Sequence, residues 1–281
     1  MSLKFISLIL FLTLTMRANA IMRALNTAAT GMAAQEVNVN TISNNIANVN
    51  TTGYKKERTE FESLHYHTIK EAGSKTSNNS VHNVGYQIGS GARVSGIARE
   101  FSQGAPQITN NPFDLMINGE GFFAVILPNQ GLAFTRDGSF NVNSQGILVN
   151  KQGYTLAPSF QFPPNTMSVN ISENGLVEAF IKDQIEPNNI GQIPVYTFAN
   201  SAGLSALGGN NYKTTMSSGA PIQNIAGESN SGIIRQGALE ASNVSIMNEM
   251  TNLIKAQRAY EMNSKVMKVA DDILQTINTI R

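Results

Sequence analysis

The sequence predicts a mixed α and β protein, in which long N- and C-terminal helices pair as a coiled coil and the middle domain is β-rich. Three observations support this fold class. Apolar residues repeat with a heptad period near the N-terminus and again near the C-terminus. Between the two repeats, short runs of β-branched and aromatic residues alternate with turn residues.

The N-terminal heptad pattern begins after Met22 and predicts an amphipathic helix. Gly53 follows the pattern, where a C′ glycine would end such a helix. The seam positions are spaced alternately by three and four residues, and all but Gln35 are apolar: Leu25, Ala28, Met32, Gln35, Val39, Ile42, Ile46 and Val49.

The C-terminal pattern predicts a second long helix, for which Asn243 is a candidate N-cap. Val266 and Ile273 widen its apolar face beyond the seam. Each pattern alone is compatible with an ordinary core helix. Because the two patterns lie at opposite ends of the chain, they favour pairing with each other or with copies of themselves. The seam positions are Leu253, Ala256, Tyr260, Asn263, Met267, Ala270, Leu274 and Ile277.

The middle of the chain predicts consecutive short strands. Turn signals separate them, such as Asp137-Gly138 and the hairpin signal Asn174-Gly175. Residues 66–83 lack an apolar period and predict an extended or loosely ordered insertion. The clearest strands are expected at 115–117, 122–127, 133–135 and 147–149.

These patterns divide the chain into four parts. A leader-like segment is expected at 1–21, and a helical coiled-coil domain at 22–52 plus 242–281. An extended connecting region is expected at 53–84 plus 225–241, and a β-rich outer domain at 85–224.

The first twenty residues, "MSLKFISLILFLTLTMRANA", have the layout of a secretory signal peptide. A basic residue, Lys4, precedes an apolar run, and an Ala-x-Ala sequence ends at Ala20. The apolar run is too short for a membrane anchor. The alternatives are a buried helix, or translation that starts at Met22 or Met16.

Composition excludes several function classes. Charged residues make up only 14% of the chain, and the net charge of +1 gives no basic surface for nucleic acid. The absence of cysteine excludes disulfides, thiolate zinc sites and a cysteine nucleophile. A surface poor in charge can lie against other protein surfaces without burying many ions.

Candidate chemical sites are weak. His65 and His67 have the spacing of a metal pair on a strand, and His82 follows, but no carboxylate cluster completes a site. The carboxylates of Asp114, Glu120 and Asp137 could serve hydrolysis of a glycoside, but they lie beside turn residues, where acidic residues are common. We therefore expect no enzyme activity, no cofactor and no metal.

Three ordered motifs resemble the bacterial flagellar rod and hook proteins. They are "SNNIANVNTTGYKKERTEF" near the start, "GEGFFAV" with "FTRDGSF" in the middle, and "GALEASNVSIMNEMTNLIKAQRAYEMNSKVM" near the end. The resemblance covers Met22 to the C-terminus. Within the family, "KAQRAYEMNSK" and the stretch 66–83 resemble the members that form the distal rod. Open alternatives are another rod or hook paralogue, such as a proximal rod protein, and a non-flagellar secreted fibre.

The resemblance implies a helical tubular shaft in the basal body, crossing the periplasm and transmitting torque from motor to hook. Terminal helices line the inside as a coiled coil, and the β domain lies outside. The implied partners are copies of the chain, proximal rod proteins, the hook protein, the P and L ring proteins and the flagellar export apparatus. For 66–83 it implies a packing element that stiffens the rod. Family members begin near the position of Met22, which favours a start there over a cleaved leader.

The residues that we expect to serve assembly lie in two groups. Junction residues would satisfy backbone groups at the end of the first helix and bond to adjacent subunits: Asn44, Asn45, Asn48, Asn50 and Gly53. The alternative is that these asparagines only terminate a helix. Seam residues on the second helix would pack in the coiled coil: Leu253, Tyr260, Met267, Leu274 and Ile277.

Overall fold

A computed structural model of the chain describes residues 2–73, 75–77, 80–81, 83–129, 131–182 and 186–279. Two long helices, α1 (Ser2–Ala47) and α2 (Ile246–Thr279), bracket a region of strands. This confirms the predicted mixed α and β class with terminal helices and a β-rich middle. Among the described residues, neither helix carries an apolar stretch long enough to cross a membrane.

The strands are short, and a 3-10 turn at Ser201–Gly203 interrupts their succession. In chain order they are β1 (Glu57–Ser63), β2 (Tyr66–Lys70), β3 (Lys75–Ser77), β4 (Ser80–Val81), β5 (Tyr86–Gly89), β6 (Ala92–Arg99), β7 (Pro106–Ile108), β8 (Leu115–Asn118), β9 (Phe123–Ile126), β10 (Leu132–Thr135), β11 (Asn141–Val142), β12 (Leu148–Val149), β13 (Thr155–Leu156), β14 (Thr166–Ile171), β15 (Leu176–Ile181), β16 (Asn188–Gln192), β17 (Val195–Thr197), β18 (Ser205–Gly208), β19 (Asn211–Lys213), β20 (Ile222–Asn224), β21 (Ile233–Gln236) and β22 (Ala238–Glu240). The strands predicted at 115–117, 122–127, 133–135 and 147–149 correspond to β8, β9, β10 and β12.

The chain forms two units. The helical unit comprises Met1–Asn44, Glu57–Ala98 and Met247–Arg281, and the β unit comprises Asn45–Lys56 and Arg99–Ile246. Strands at 57–98, part of which the sequence assigns to a connecting region, therefore group with the helices.

In the helical unit, small side chains let α1 and α2 approach closely. Ala28 and Ala34 on α1 are buried, as are Ala256 and Ala270 on α2. A Cβ atom added to Gly31 would lie 2.8 Å from the Nδ2 atom of Asn263, so the two helices contact each other at this glycine.

The stretch at 66–83 is more ordered than the sequence indicates. Strand β2 pairs with β5 as an antiparallel hairpin, with Tyr66 opposite Gly89. Every residue of β2 is exposed. The missing apolar period over β2 thus reflects a strand without a buried face, because a strand with both faces in solvent has no reason to alternate apolar and polar residues.

The β unit is built on a seven-stranded sheet with the order β11-β12-β13-β9-β10-β19-β18, beside a three-stranded sheet β14-β15-β16. Small two-stranded sheets join distant parts of the chain. Strand β21 pairs with β8 and β22 pairs with β7, both antiparallel. The end of the β unit's sequence is thus hydrogen-bonded to its beginning.

Two apolar clusters fill the β unit. The larger includes Leu115, Phe123, Phe140 and Ile234, each fully or almost fully buried. The smaller is aromatic, and in it Phe122 and Tyr212 meet edge to face with ring centroids 6.1 Å apart. Strands as short as these need such shared cores, because an isolated hairpin is only marginally stable in water.

Candidate assembly surfaces and the chain junction

The asparagines after the first seam have different environments. Asn44 is exposed, and its Nδ2 atom lies 3.4 Å from Oε2 of Glu57. Asn45 is 1% exposed, and its Oδ1 atom accepts a hydrogen bond of 3.1 Å from the Tyr54 hydroxyl. Asn48 is half-buried and accepts a 3.1 Å bond from the Thr51 hydroxyl. Asn50 is exposed. Asn45 and Asn48 therefore bond within their own chain.

Gly53 lies at a turn well beyond the helix, because α1 already ends at Ala47. The prediction that it is the C′ residue of this helix is wrong. Its φ of +68° is one that a glycine adopts without strain. An added Cβ atom would lie 2.6 Å from the backbone nitrogen of Asp137, and the Gly53 N–H donates a 2.8 Å bond to the Glu240 carbonyl. The position thus requires glycine for close backbone contact within the β unit.

Beside this turn, three charged side chains form what we call the buried ion cluster: Lys55, Arg136 and Glu240. Their exposed fractions are 1%, 3% and 1%. The Lys55 Nζ atom donates to Oε1 of Glu240 at 2.6 Å, and NH1 of Arg136 donates to Oε2 at 3.4 Å. One carboxylate therefore serves two cations.

Backbone groups add three further bonds to the cluster, although the buried Nε atom of Arg136 has no hydrogen-bond partner. Lys55 Nζ also donates to the Ser102 carbonyl at 2.8 Å, and the Gly104 N–H donates to Oε1 of Glu240 at 2.9 Å. NH2 of Arg136 donates to the Gly119 carbonyl at 2.9 Å. These bonds offset part of the cost of removing three charges from water.

The electrostatics of Lys55 reflect this burial. Burial lowers the pKa of Lys55, the Glu240 carboxylate opposes the shift, and the nearby Arg136 charge adds to it. Burial likewise lowers the pKa of Arg136. Each cation is thus costly at its position. Glu240 favours the charged form of both cations, and Glu120 adds to this effect at Arg136.

Asn243 connects three backbone segments of the β unit. Its Oδ1 atom accepts a 2.7 Å bond from the Lys56 N–H, and its Nδ2 atom donates to the Glu100 carbonyl at 2.9 Å and to the Ser102 hydroxyl at 2.9 Å. The prediction that Asn243 caps α2 is wrong, since that helix begins at Ile246. The amide instead joins the segment before α2 to Lys56 and Glu100, which already pair through the 2.8 Å bond from the Glu100 N–H to the Lys56 carbonyl.

On α2, the predicted seam is the less exposed face. Leu253, Met267, Leu274 and Ile277 are half-buried, whereas Tyr260 is 44% exposed. Next to the seam lies a row of apolar side chains that we call the exposed stripe: Met262 (61% exposed), Val266 (48%), Val269 (58%) and Ile273 (45%). Its spacing of four, three and four residues places it along one side of the helix.

The candidate chemical residues do not form a site in the described part of the chain. His82 lies outside the described residues, and no group of at least three metal-ligating side chains occurs among those described. Asp137 accepts bonds from Ser139 in a turn. A groove of about 570 Å³ in the β unit is lined by uncharged polar and apolar residues, such as Gln145, Gln161 and Met167. None of its lining side chains is titratable.

Three known families match successive parts of the chain. A family described as flagella basal body rod protein matches residues 25–55, which contain the end of α1 and the Gly53 turn. The flagellar hook protein FlgE/F/G D1 domain matches residues 116–179 of the β unit. The flagellar basal body rod FlgEFG protein C-terminal family matches residues 235–280, from the Glu240 segment through α2.

Individual relatives match almost over their full length. Flagellar basal-body rod protein FlgG of Borreliella burgdorferi is 47% identical over 262 residues, covering 92% of this chain and 99% of the relative. FlgG of Caulobacter vibrioides is 44% identical over 92% of this chain and 100% of its own. FlgG of Bacillus subtilis is 34% identical over 92% and 99%. The chain therefore belongs to the FlgG family of flagellar basal-body rod proteins.

Proposed function

We propose that the chain is a structural subunit of the distal rod in the flagellar basal body, where copies assemble into a helical tubular shaft that transmits torque from motor to hook. The observation that carries this proposal, together with the family, is the exposed stripe on α2. Such a row of large apolar side chains on a folded chain marks a protein interaction surface. The shaft acts through contacts between subunits, without a catalytic group.

The terminal helices supply the inner layer of this shaft as a coiled coil. The close approach of α1 and α2 at Gly31 and Asn263 supports pairing within one subunit. The exposed stripe then remains for a neighbouring subunit. Contacts between different surfaces of identical subunits do not close into a ring unless the rotation happens to fit, and they otherwise generate a helical filament.

Burial of the exposed stripe favours assembly. Full burial of a Val, Ile or Met side chain contributes about 1.5–3 kcal/mol, and the stripe presents Met262, Val266, Val269 and Ile273 about half exposed. Binding of neighbours to the folded chain also stabilises it by mass action. The helical unit should therefore gain stability on polymerisation.

Further partners follow from this place in the flagellum. The rod subunit would contact proximal rod proteins on one side and the hook protein on the other, pass through the P and L rings, and reach its position through the flagellar export apparatus. Membership of a rod family whose relatives match over almost their full length supports these partners.

The test uses Val266→Gln/Val269→Gln, which removes apolar surface while keeping helix-forming residues. The matched control is Met167→Gln/Met216→Gln, which alters two exposed methionines of the β unit. We expect both purified proteins to have the circular dichroism of the wild type. Only the stripe variant should be missing from detergent-resistant basal bodies. Cells that carry it as their sole copy should not swim. Normal incorporation of the stripe variant would show that this face does not join subunits.

A further inference from the structure

Glu240 occupies a position in the sequence that makes the buried ion cluster unusual. Lys55 precedes it by 185 residues and Arg136 by 104, yet both cations donate to its carboxylate. The three residues come from the first segment of the β unit, from the turn after β10, and from the end of β22. The cluster thus joins the earliest and latest parts of the β unit's sequence.

The cluster cannot be satisfied before Glu240 is in place. Among the described residues, Glu240 is the carboxylate within hydrogen-bonding distance of either Lys55 or Arg136; Glu120 acts on Arg136 only through its longer-range charge. Without Glu240, closing the β unit would bury two like charges side by side. Breaking a buried ion pair by removing one partner shifts a folding equilibrium by about 100-fold or more.

We propose that Glu240 makes folding at the beginning of the β unit conditional on the arrival of its last segment. Residues 53–56 and 102–105, which surround the Lys55 ammonium, become ordered only when the segment 238–241 docks on β7. The strand pairing of β22 with β7 and the Gly53 N–H bond to the Glu240 carbonyl place the carboxylate between the cations. A chain that is complete only as far as β21 therefore leaves residues 53–56 and 102–105 unordered.

Apolar burial alone does not explain why residues 53–56 and 102–105 would wait for the segment 238–241. The side chains of the larger core cluster lie mainly between 113 and 195, so most of that core is available before Glu240 emerges. The junction differs because its centre is ionic. Its early half carries the two cations, and its late half carries the anion that compensates them.

The direct test is refolding of the wild-type chain from denaturant with pulsed hydrogen exchange read by mass spectrometry. We expect peptides covering 53–56 and 102–105 to gain protection in the same kinetic phase as 238–241. Peptides covering β14 and β15 can gain protection earlier. Protection of 53–56 clearly before 238–241 would overturn the proposal, and this result does not depend on any variant that fails to fold.

Equilibrium exchange of Glu240→Gln tests the charge itself, with Glu228→Gln as the matched control because Glu228 is an exposed carboxylate of the same unit. We expect Glu240→Gln to raise exchange rates about 100-fold or more at 53–56, 102–105 and 134–138 together. Adding Lys55→Met should recover part of this protection, because one uncompensated cation is gone. Rates like those of the control, or no recovery in the double variant, would contradict the proposal.

Discussion

At the scale of the residue, Tyr196 gives the β unit a dependence on alkaline pH. Tyr196 is 9% exposed, and burial raises the pKa of its phenol above the ordinary value of 10.0. As pH rises, the unfolded chain therefore loses this proton before the folded chain does. The contribution to stability is fully present below about pH 10 and is lost as pH rises through the folded pKa.

We expect Tyr196→Phe to reduce the decrease in the free energy of unfolding at alkaline pH. Above about pH 10, the free energy of unfolding of the wild type should fall more steeply than that of the variant, by up to about 1.4 kcal/mol per pH unit for one proton. Urea denaturation followed by circular dichroism at several pH values measures both slopes. Tyr86→Phe, which alters an exposed tyrosine, is the control. Parallel curves for wild type and Tyr196→Phe would contradict the expectation.

The junction asparagines separate into two experiments. Asn45→Ala removes the buried acceptor of the Tyr54 hydroxyl and should lower the stability of the β unit by about 1 kcal/mol or more. Asn50→Ala alters an exposed side chain and should change stability by less than about 0.5 kcal/mol. If Asn50 bonds to an adjacent subunit, its variant nevertheless enters basal bodies poorly. Denaturation and immunoblots of isolated basal bodies give the two readouts, and normal incorporation of Asn50→Ala would leave it with no assembly role.

Local sequence predicts the junction incompletely. The run of asparagines and the motif around Gly53 indicate where the chain leaves the first helix. The ion pair of Lys55 with Glu240 spans 185 residues, and no local pattern around either residue predicts it. The residue type of Asn243 and its place before α2 predict a helix cap. Its bonds to Lys56, Glu100 and Ser102 depend on tertiary proximity, which one sequence does not contain.

At the scale of the element, the heptad pattern predicts a helix at each end of the chain and the less exposed face of α2, but not that α1 begins at Ser2 and ends at Ala47. It does not reveal the role of Gly31, which is no seam residue, nor that of Asn263, which interrupts an apolar seam. The structure places the Asn263 amide against Gly31, where a Cβ atom would lie 2.8 Å from Nδ2. A polar residue at a seam position is a known means of fixing helix register.

This pair leads to a coupling prediction. Alanine is favoured over glycine in a helix by about 1 kcal/mol, but we expect Gly31→Ala to gain less than this, because its methyl group must displace the amide end of the Asn263 side chain. Combining it with Asn263→Ala removes the clash. The double variant should therefore have a higher melting temperature than Asn263→Ala alone. Thermal unfolding followed at 222 nm compares the four proteins. If Gly31→Ala gains as much in the wild type as it gains beside Asn263→Ala, the amide moves aside without cost.

At the scale of the whole molecule, the exposed hairpin can be separated from the fold that bears it. The Leu64 N–H donates to the Gly91 carbonyl at 2.9 Å, and the Ser90 N–H donates to the His65 carbonyl at 3.2 Å, so the hairpin leaves and rejoins the chain at adjacent points. All residues of β2 are exposed. Strand β2 therefore adds surface without adding to a core of its own, which suits an element whose contacts form in the assembly.

Replacing residues 66–89 by Asn-Gly should close the β1 to β6 connection with a two-residue turn. We expect the free subunit to keep its melting temperature within a few degrees, because no buried side chain of β2 is lost. In the assembled rod, the missing contacts should remove stiffness, and electron micrographs of basal bodies should show bent or irregular rods. A variant with Tyr66→Ser/Tyr86→Ser keeps the hairpin and tests whether its exposed aromatic side chains make those contacts. Straight rods from the deletion variant would mean that stiffness arises from the helical layer, whereas an unstable free subunit would mean that the hairpin belongs to the fold itself.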